Sequence, residues 1–209
     1  MHTGFRIGAR IHVLTLAALV AGSSGCGDVV RGDRAAAILN VAALAGIAGG
    51  AQGSPSGTLL SDVLVLRRSP APCTAAAPCP TIVDDFGQAT LTLTMKNPLI
   101  SPTSNNTVTI NRYTVVYRRN DGRNTPGVDV PYAIDGAVTA SVVVGGQTVV
   151  AFELVRHAAK EEAPLVQLVF DPNIISTVAD VTFYGHDLVG NAVTSTGSLT
   201  INFGNFADQ

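Results

Sequence analysis

The clearest alternation in the chain lies near its end. Ala179, Val181 and Phe183 alternate with Asp180, Thr182 and Tyr184, and Val193, Leu199, Ile201 and Phe203 alternate with Thr194, Thr196, Ser198, Thr200 and Asn202. A period of two sends one set of side chains to a core and the other to water, so it predicts two half-buried antiparallel strands. The seven residues Gly185 to Asn191 stand between the two runs and predict their connector.

Upstream, Leu91, Leu93 and Met95 alternate with Thr90, Thr92 and Thr94 until Asn97-Pro98 ends the run. Thr107 to Arg119 changes phase. Val108 and Ile110 are apolar at even positions, Tyr113, Val115 and Tyr117 at odd ones. One straight strand cannot bury both sets, so a bulge is predicted near Asn111-Arg112. Gly145-Gly146 stands between Val138–Val144 and Gln147–Val155 and predicts a hairpin. Thr58 to Leu66 reads as one strand. Ala35 to Leu44 is apolar and Ala-rich, which fits a buried first strand or a short helix. Arg156 to Ala163 is charged and reads as a surface connection, with Lys160, Glu161 and Glu162 as a solvated face. These runs predict an all-β fold of about seven to nine short strands, in one domain over residues 35–206.

Composition changes this picture little. Thirteen Lys and Arg stand against 15 Asp and Glu in 209 residues, and only 13% of residues are charged. No basic stripe appears, so nucleic acid is not an expected partner. Nothing in the sequence asks for a cofactor.

The N-terminus supplies an address. Arg6 and Arg10 precede an apolar run, Ile11 to Ala21, too short to span a bilayer as a helix, and small residues follow. Residues 1–25 therefore read as an export signal and residues 26–34 as a flexible tether. Ser23-Ser24-Gly25-Cys26 resembles a bacterial lipobox, with Ser23 where an apolar residue is common. That resemblance implies lipid on Cys26, a membrane partner held through that lipid, and placement as an outer-membrane lipoprotein, on its periplasmic or surface face. Ordinary cleavage to a secreted or periplasmic chain is the alternative. Gly27 follows Cys26 rather than Asp. With Cys26 set aside, Cys73 and Cys79 remain, flanking a short Pro/Ala loop, and an oxidising compartment makes a local disulfide the simplest expectation.

Tyr184-Gly-His-Asp-Leu-Val-Gly-Asn191 resembles the D-x-x-G-N connector of bacterial immunoglobulin-like modules. That resemblance implies an immunoglobulin-like antiparallel β-sandwich, and the whole layout resembles uncharacterised bacterial lipoproteins. The Cys…Trp…Cys signature of antibody domains is absent, since the chain has no Trp.

Candidate chemistry is sparse. His157 and His186 are the histidines beyond the signal. His186 and Asp187 are adjacent on an extended run, so their side chains point apart and are poorly placed to orient one another as a catalytic pair. No G-x-S-x-G elbow occurs. Asp187 and Asn191 fit a connector-shaping role; that pair, or alternatively Asp84 and Asp85, is what a calcium site would draw on, although such a site needs about six to eight oxygens. Arg118, Arg119 and Arg123 form the nearest thing to a basic cluster and read as protection of a strand edge. Tyr113 and Tyr117 share the inward phase, whereas Tyr184 faces outward. The expectation is a non-enzymatic, envelope-anchored structural or binding module with an envelope protein or glycan as partner. A calcium- or glycan-dependent adhesion module is the alternative, and an envelope hydrolase has the least support.

Overall fold

A computed structural model describes residues 34–49 and 54–206. Residues 1–25, read above as an export signal, Cys26 and all but Arg34 of the segment read as a tether lie outside the described residues. The described chain is an all-β fold of several sheets. Its strands are β1 (Ala37–Ile47), β2 (Thr58–Asp62), β3 (Val65–Arg67), β4 (Cys79–Thr81), β5 (Asp85–Met95), β6 (Val108–Arg118), β7 (Ile134–Val142), β8 (Gln147–Val155), β9 (Ile175–Asp187) and β10 (Ala192–Gly204). They form a three-stranded sheet β1-β5-β8, a five-stranded sheet β2-β10-β9-β6-β7 that curls as a half-barrel, and a small β3-β4 ribbon. One short helix, α1 (His157–Lys160), and a 3-10 turn (Leu165–Val169) join β8 to β9.

The alternation sets these elements. On β9, Ala179, Val181 and Phe183 are buried, and on β10 so are Leu199, Ile201 and Phe203. The two strands pair antiparallel from Ile175↔Phe203 to His186↔Ala192. The phase change in β6 is a register shift between Ile110 and Arg112 against both neighbours, so Val108, Ile110, Tyr113, Val115 and Tyr117 all face the core. Aromatic rings fill the space between the two large sheets. The Phe152 ring lies 5.1 Å from Tyr113 and 5.4 Å from Phe183. The Tyr113 and Tyr117 hydroxyls donate to the carbonyls of Glu153 and Leu154 on β8, at 3.1 and 2.6 Å, so neither is buried without a partner.

Several expectations need correction. Ten strands are present among the described residues rather than seven to nine, because the Cys73–Cys79 bridge closes a loop between the two three-residue strands β3 and β4. The run from Thr58 to Leu66 divides into β2 and β3, because Val63 turns inward and Asp62 caps the bend through the Leu64 N–H. The Gly145-Gly146 turn exists, with Gly145 at φ 76°. Its two strands do not pair along their length, however: β7 joins the five-stranded sheet and β8 crosses to the three-stranded one. The turn is anchored instead to β5, through the Gly145 N–H and the Leu93 carbonyl at 2.9 Å. The connector of the closing pair is four residues long, since β9 continues to Asp187.

The largest correction concerns Lys160. Its side chain is 0% exposed, and its ammonium lies 2.9 Å from the Asp85 carboxylate, itself 1% exposed. The same ammonium donates to the Asp62 carbonyl at 2.9 Å. Asp85 also accepts from the Ser61 hydroxyl at 2.6 Å and from the Gly49 N–H at 2.9 Å. Residues 157–160 are therefore not simply a surface connection: α1 pushes a charge into the junction between β2 and β5.

Removing one member of such a pair leaves the other charge buried and uncompensated, at a cost of about 3–5 kcal/mol. Lys160→Met should lower urea-unfolding stability by that amount, and Lys160→Met with Asp85→Leu should recover much of it. A single-variant loss below about 1 kcal/mol would show that the junction does not exclude water.

Candidate functional site

The bulge in β6 and the β9–β10 connector meet at one end of the five-stranded sheet and leave an open groove between them. Its volume is about 660 Å³, and Asn111, Arg112, Tyr184, His186, Gly190 and Thr194 are among its lining residues. Each wall follows from a local rule. The bulge turns Asn111 and Arg112 outward together. Tyr184 occupies the outward phase of β9 and is paired across to Thr194 of β10. Gly190, at φ 87°, lets the connector turn back after only four residues.

Arg112 dominates the electrostatics of this groove. Its Nε and Nη2 donate to the two oxygens of Asp135 on β7, at 2.7 and 2.6 Å. Its guanidinium carbon also sits 4.9 Å from the centre of the Tyr184 ring. The hydrogen bond with Asp135 raises the Arg112 pKa and holds the Asp135 carboxyl below its ordinary range. The cation of the groove is thus already matched by an anion. The other polar side chains on the wall, Asn111, His186 and Thr194, offer amide, imidazole and hydroxyl groups.

Asp187 and Asn191 are brought together, as a built connector. The Asp187 carboxylate accepts from the Val189 and Asn191 N–H groups, at 3.1 and 2.8 Å, and from the Asn191 side-chain amide at 2.8 Å. His186 is exposed on the opposite face of β9, so it and Asp187 do point apart. Asp84 and Asp85 also diverge. Asp85 turns into the buried junction, while Asp84 accepts from the backbone and ring of His157, at 2.6 and 3.0 Å. Burial pushes the Asp84 carboxyl up, but the contacts with His157 outweigh it and leave the pKa lowered. Among the described residues, no group of three or more His, Cys, Asp or Glu is placed to hold a metal ion. Cys73 and Cys79 are bridged, with Cα atoms 5.3 Å apart.

Each member of the arginine cluster has an acidic partner. Arg118 stands at the end of β6, three residues past Val115, the last β6 residue paired with β7. It pairs with Asp180 on β9, which also accepts from Ser198 on β10 at 2.7 Å. Arg119 and Arg123 both converge on Asp121, whose carboxyl the Arg119 hydrogen bond holds far below the usual range.

Sequence reasoning picked out Tyr184 and located the bulge, but it did not join them into one groove. It also missed the partnership of Lys160. A usable signal was present: Asp85 shares the odd, inward phase with Ala89, Leu91 and Leu93, and a carboxylate placed there requires a cation. No family model, no curated protein and no solved structure matches this chain.

Two outcomes follow from this geometry. Asp187→Ala removes the acceptor for three N–H groups and should cost about 1–3 kcal/mol in denaturant unfolding; a neutral effect would mean that the turn is held elsewhere. The Arg118 hydrogen bond lowers the Asp180 pKa in the folded state. That contribution is complete above the unfolded value and is lost as pH falls through the folded one. Stability should therefore decline as pH drops below about 4, and Asp180→Asn should flatten that slope in pH-dependent melting curves.

Proposed function

We propose that this chain is an envelope-anchored, non-catalytic binding module: an immunoglobulin-like β-sandwich tethered through lipid on Cys26, whose groove takes a neutral, glycan-like ligand. The observation that carries the ligand class is the charge balance of the groove. Arg112 is engaged by Asp135, so an anionic ligand gains little there. Asn111, His186 and Thr194 supply donors and acceptors beside an aromatic ring, and this mixture suits hydroxyl-rich ligands. The sandwich assignment is supported by two largely antiparallel sheets, β2 on β10 being the parallel pair, with an aromatic core between them. The curl of the larger sheet is where the fold departs from a flat sandwich. Tethering is supported by the basic start, the short apolar run and Cys26 in the sequence.

The two halves of the proposal are tested separately. Cys26→Ser should move the protein from the membrane to the soluble fraction, and its retention in the membrane would sink the tether. Titration calorimetry against neutral envelope oligosaccharides should show binding that Tyr184→Ala or Asn111→Ala weakens at least about tenfold, the equivalent of about 1.4 kcal/mol. Equal heats for variant and parent would dismiss the groove as the ligand site.

A further inference from the structure

The two ends of the fold differ in chemistry. At one end lie the start of β1, the end of β5, the β7–β8 turn and the β9–β10 connector. The register Ala37↔Met95 brings the first pair together, and Val108 pairs with both Val142 and Asp187. The loops here are 96–107, 143–146 and 187–191. Lys96 and Asp187 are their charged residues, and Asp187 is folded under its own turn. Leu99 is 93% exposed, Leu188 60% and Val189 64%, with Ile100 and Val143 also exposed. These tips are braced. The Leu188 N–H donates to the Asn105 carbonyl at 3.3 Å, and the Leu99 N–H to the Asn97 side chain at 3.0 Å.

The other end also exposes apolar side chains, Phe170 among them, but surrounds them with charge. Loop 119–133 holds Arg119, Asp121, Arg123 and Asp129, and segment 156–174 holds Arg156, Glu161, Glu162 and Asp171.

The described chain begins at the first of these two ends, with the exposed Arg34. Ala35 is buried there, and the Ala36 carbonyl accepts from the Lys96 N–H at 2.9 Å. We infer that this end, led by Leu99, Ile100, Leu188 and Val189, rests on the bilayer that holds the lipid of Cys26. The inference rests on the tether proposed above. Cys26 to Arg34 is nine residues, so even a fully extended tether reaches only about 30 Å, and it leaves the domain from the end that carries the apolar tips. Uncharged, apolar tips on braced loops enter a lipid interface without desolvating a charge. The groove beside the connector then opens close to the membrane, and the charged end points away from it.

The chain has no Trp, so a single introduced indole reports its own surroundings. Leu188→Trp and Phe170→Trp each replace an exposed side chain in the full-length protein. Each variant is mixed with phosphatidylethanolamine/phosphatidylglycerol vesicles containing a brominated lipid, and the mass of Cys26 is determined in parallel. The expected result is an acylated Cys26, a Leu188→Trp emission that shifts to the blue and is mostly quenched at both low and high salt, and an unaltered Phe170→Trp emission. Acylated, vesicle-bound protein with neither indole quenched overturns the docking and leaves the tether standing. A quenched Leu188→Trp on unacylated protein overturns the tether and leaves the docking standing. Unacylated protein with neither indole quenched overturns both. A blue shift of Leu188→Trp that depends on protein concentration, without lipid, assigns the end to a second copy and overturns the bilayer as its occupant.

Discussion

A buried ammonium needs an anion and further acceptors, and the junction around Lys160 supplies a carboxylate and a carbonyl. Moving a charge out of water costs several kcal/mol, and attraction to one carboxylate offsets this only when both groups are otherwise satisfied. Asp85 contributes its carboxylate, Asp62 its carbonyl, and Ser61 and Gly49 complete the hydrogen bonding of Asp85. These groups come from α1, β5, β2 and the segment after β1, which belong to both large sheets. The pair therefore fixes how the sheets meet at the charged end. At the opposite end the Gly145–Leu93 hydrogen bond holds the β7–β8 turn to β5. Between these two fastenings the core is apolar, and its tyrosine hydroxyls reach carbonyls of β8.

Wherever the pleat runs without a fault, the sequence discloses the strand. β5, β9 and β10 alternate cleanly because each packs one face on a single core. β1 was ambiguous for a physical reason. Its register shifts between Val41 and Ala43, so Ala37 and Leu39 face the core at odd positions while the close packing of Gly46 against Leu59 falls at an even one. A bulge inside an Ala-rich run erases both the two-residue and the helical period. The same fault in β6 was readable because its flanking residues are large.

Which sheet a strand joins was not legible. The two glycines at 145–146 have the composition of a hairpin whether or not the strands stay paired, because the turn needs positive φ in either case. Lys160 misled in another way. Flanked by Glu161 and Glu162, it has the local look of a solvated face, and its partner lies 75 positions earlier in the chain. The groove was half visible: the outward phase of Tyr184 and the bulge at Arg112 are each local facts, while their meeting depends on β6 and β9 being neighbours. Asp135, which neutralises the groove's cation, comes from a third strand.

The parallel pairing of β2 with β10 sets an order of events on the chain. Thr58 lies against Thr200 and Asp62 against Gly204, so a strand from the first third waits for the last one. A chain delivered from its N-terminus holds β2 without a neighbour until residue 204 has emerged, and β9 likewise lacks one of its two neighbours. Such a topology makes completion of the larger sheet depend on a pairing of high sequence separation and favours its late closure. The larger sheet is therefore complete only once its final strand is in place.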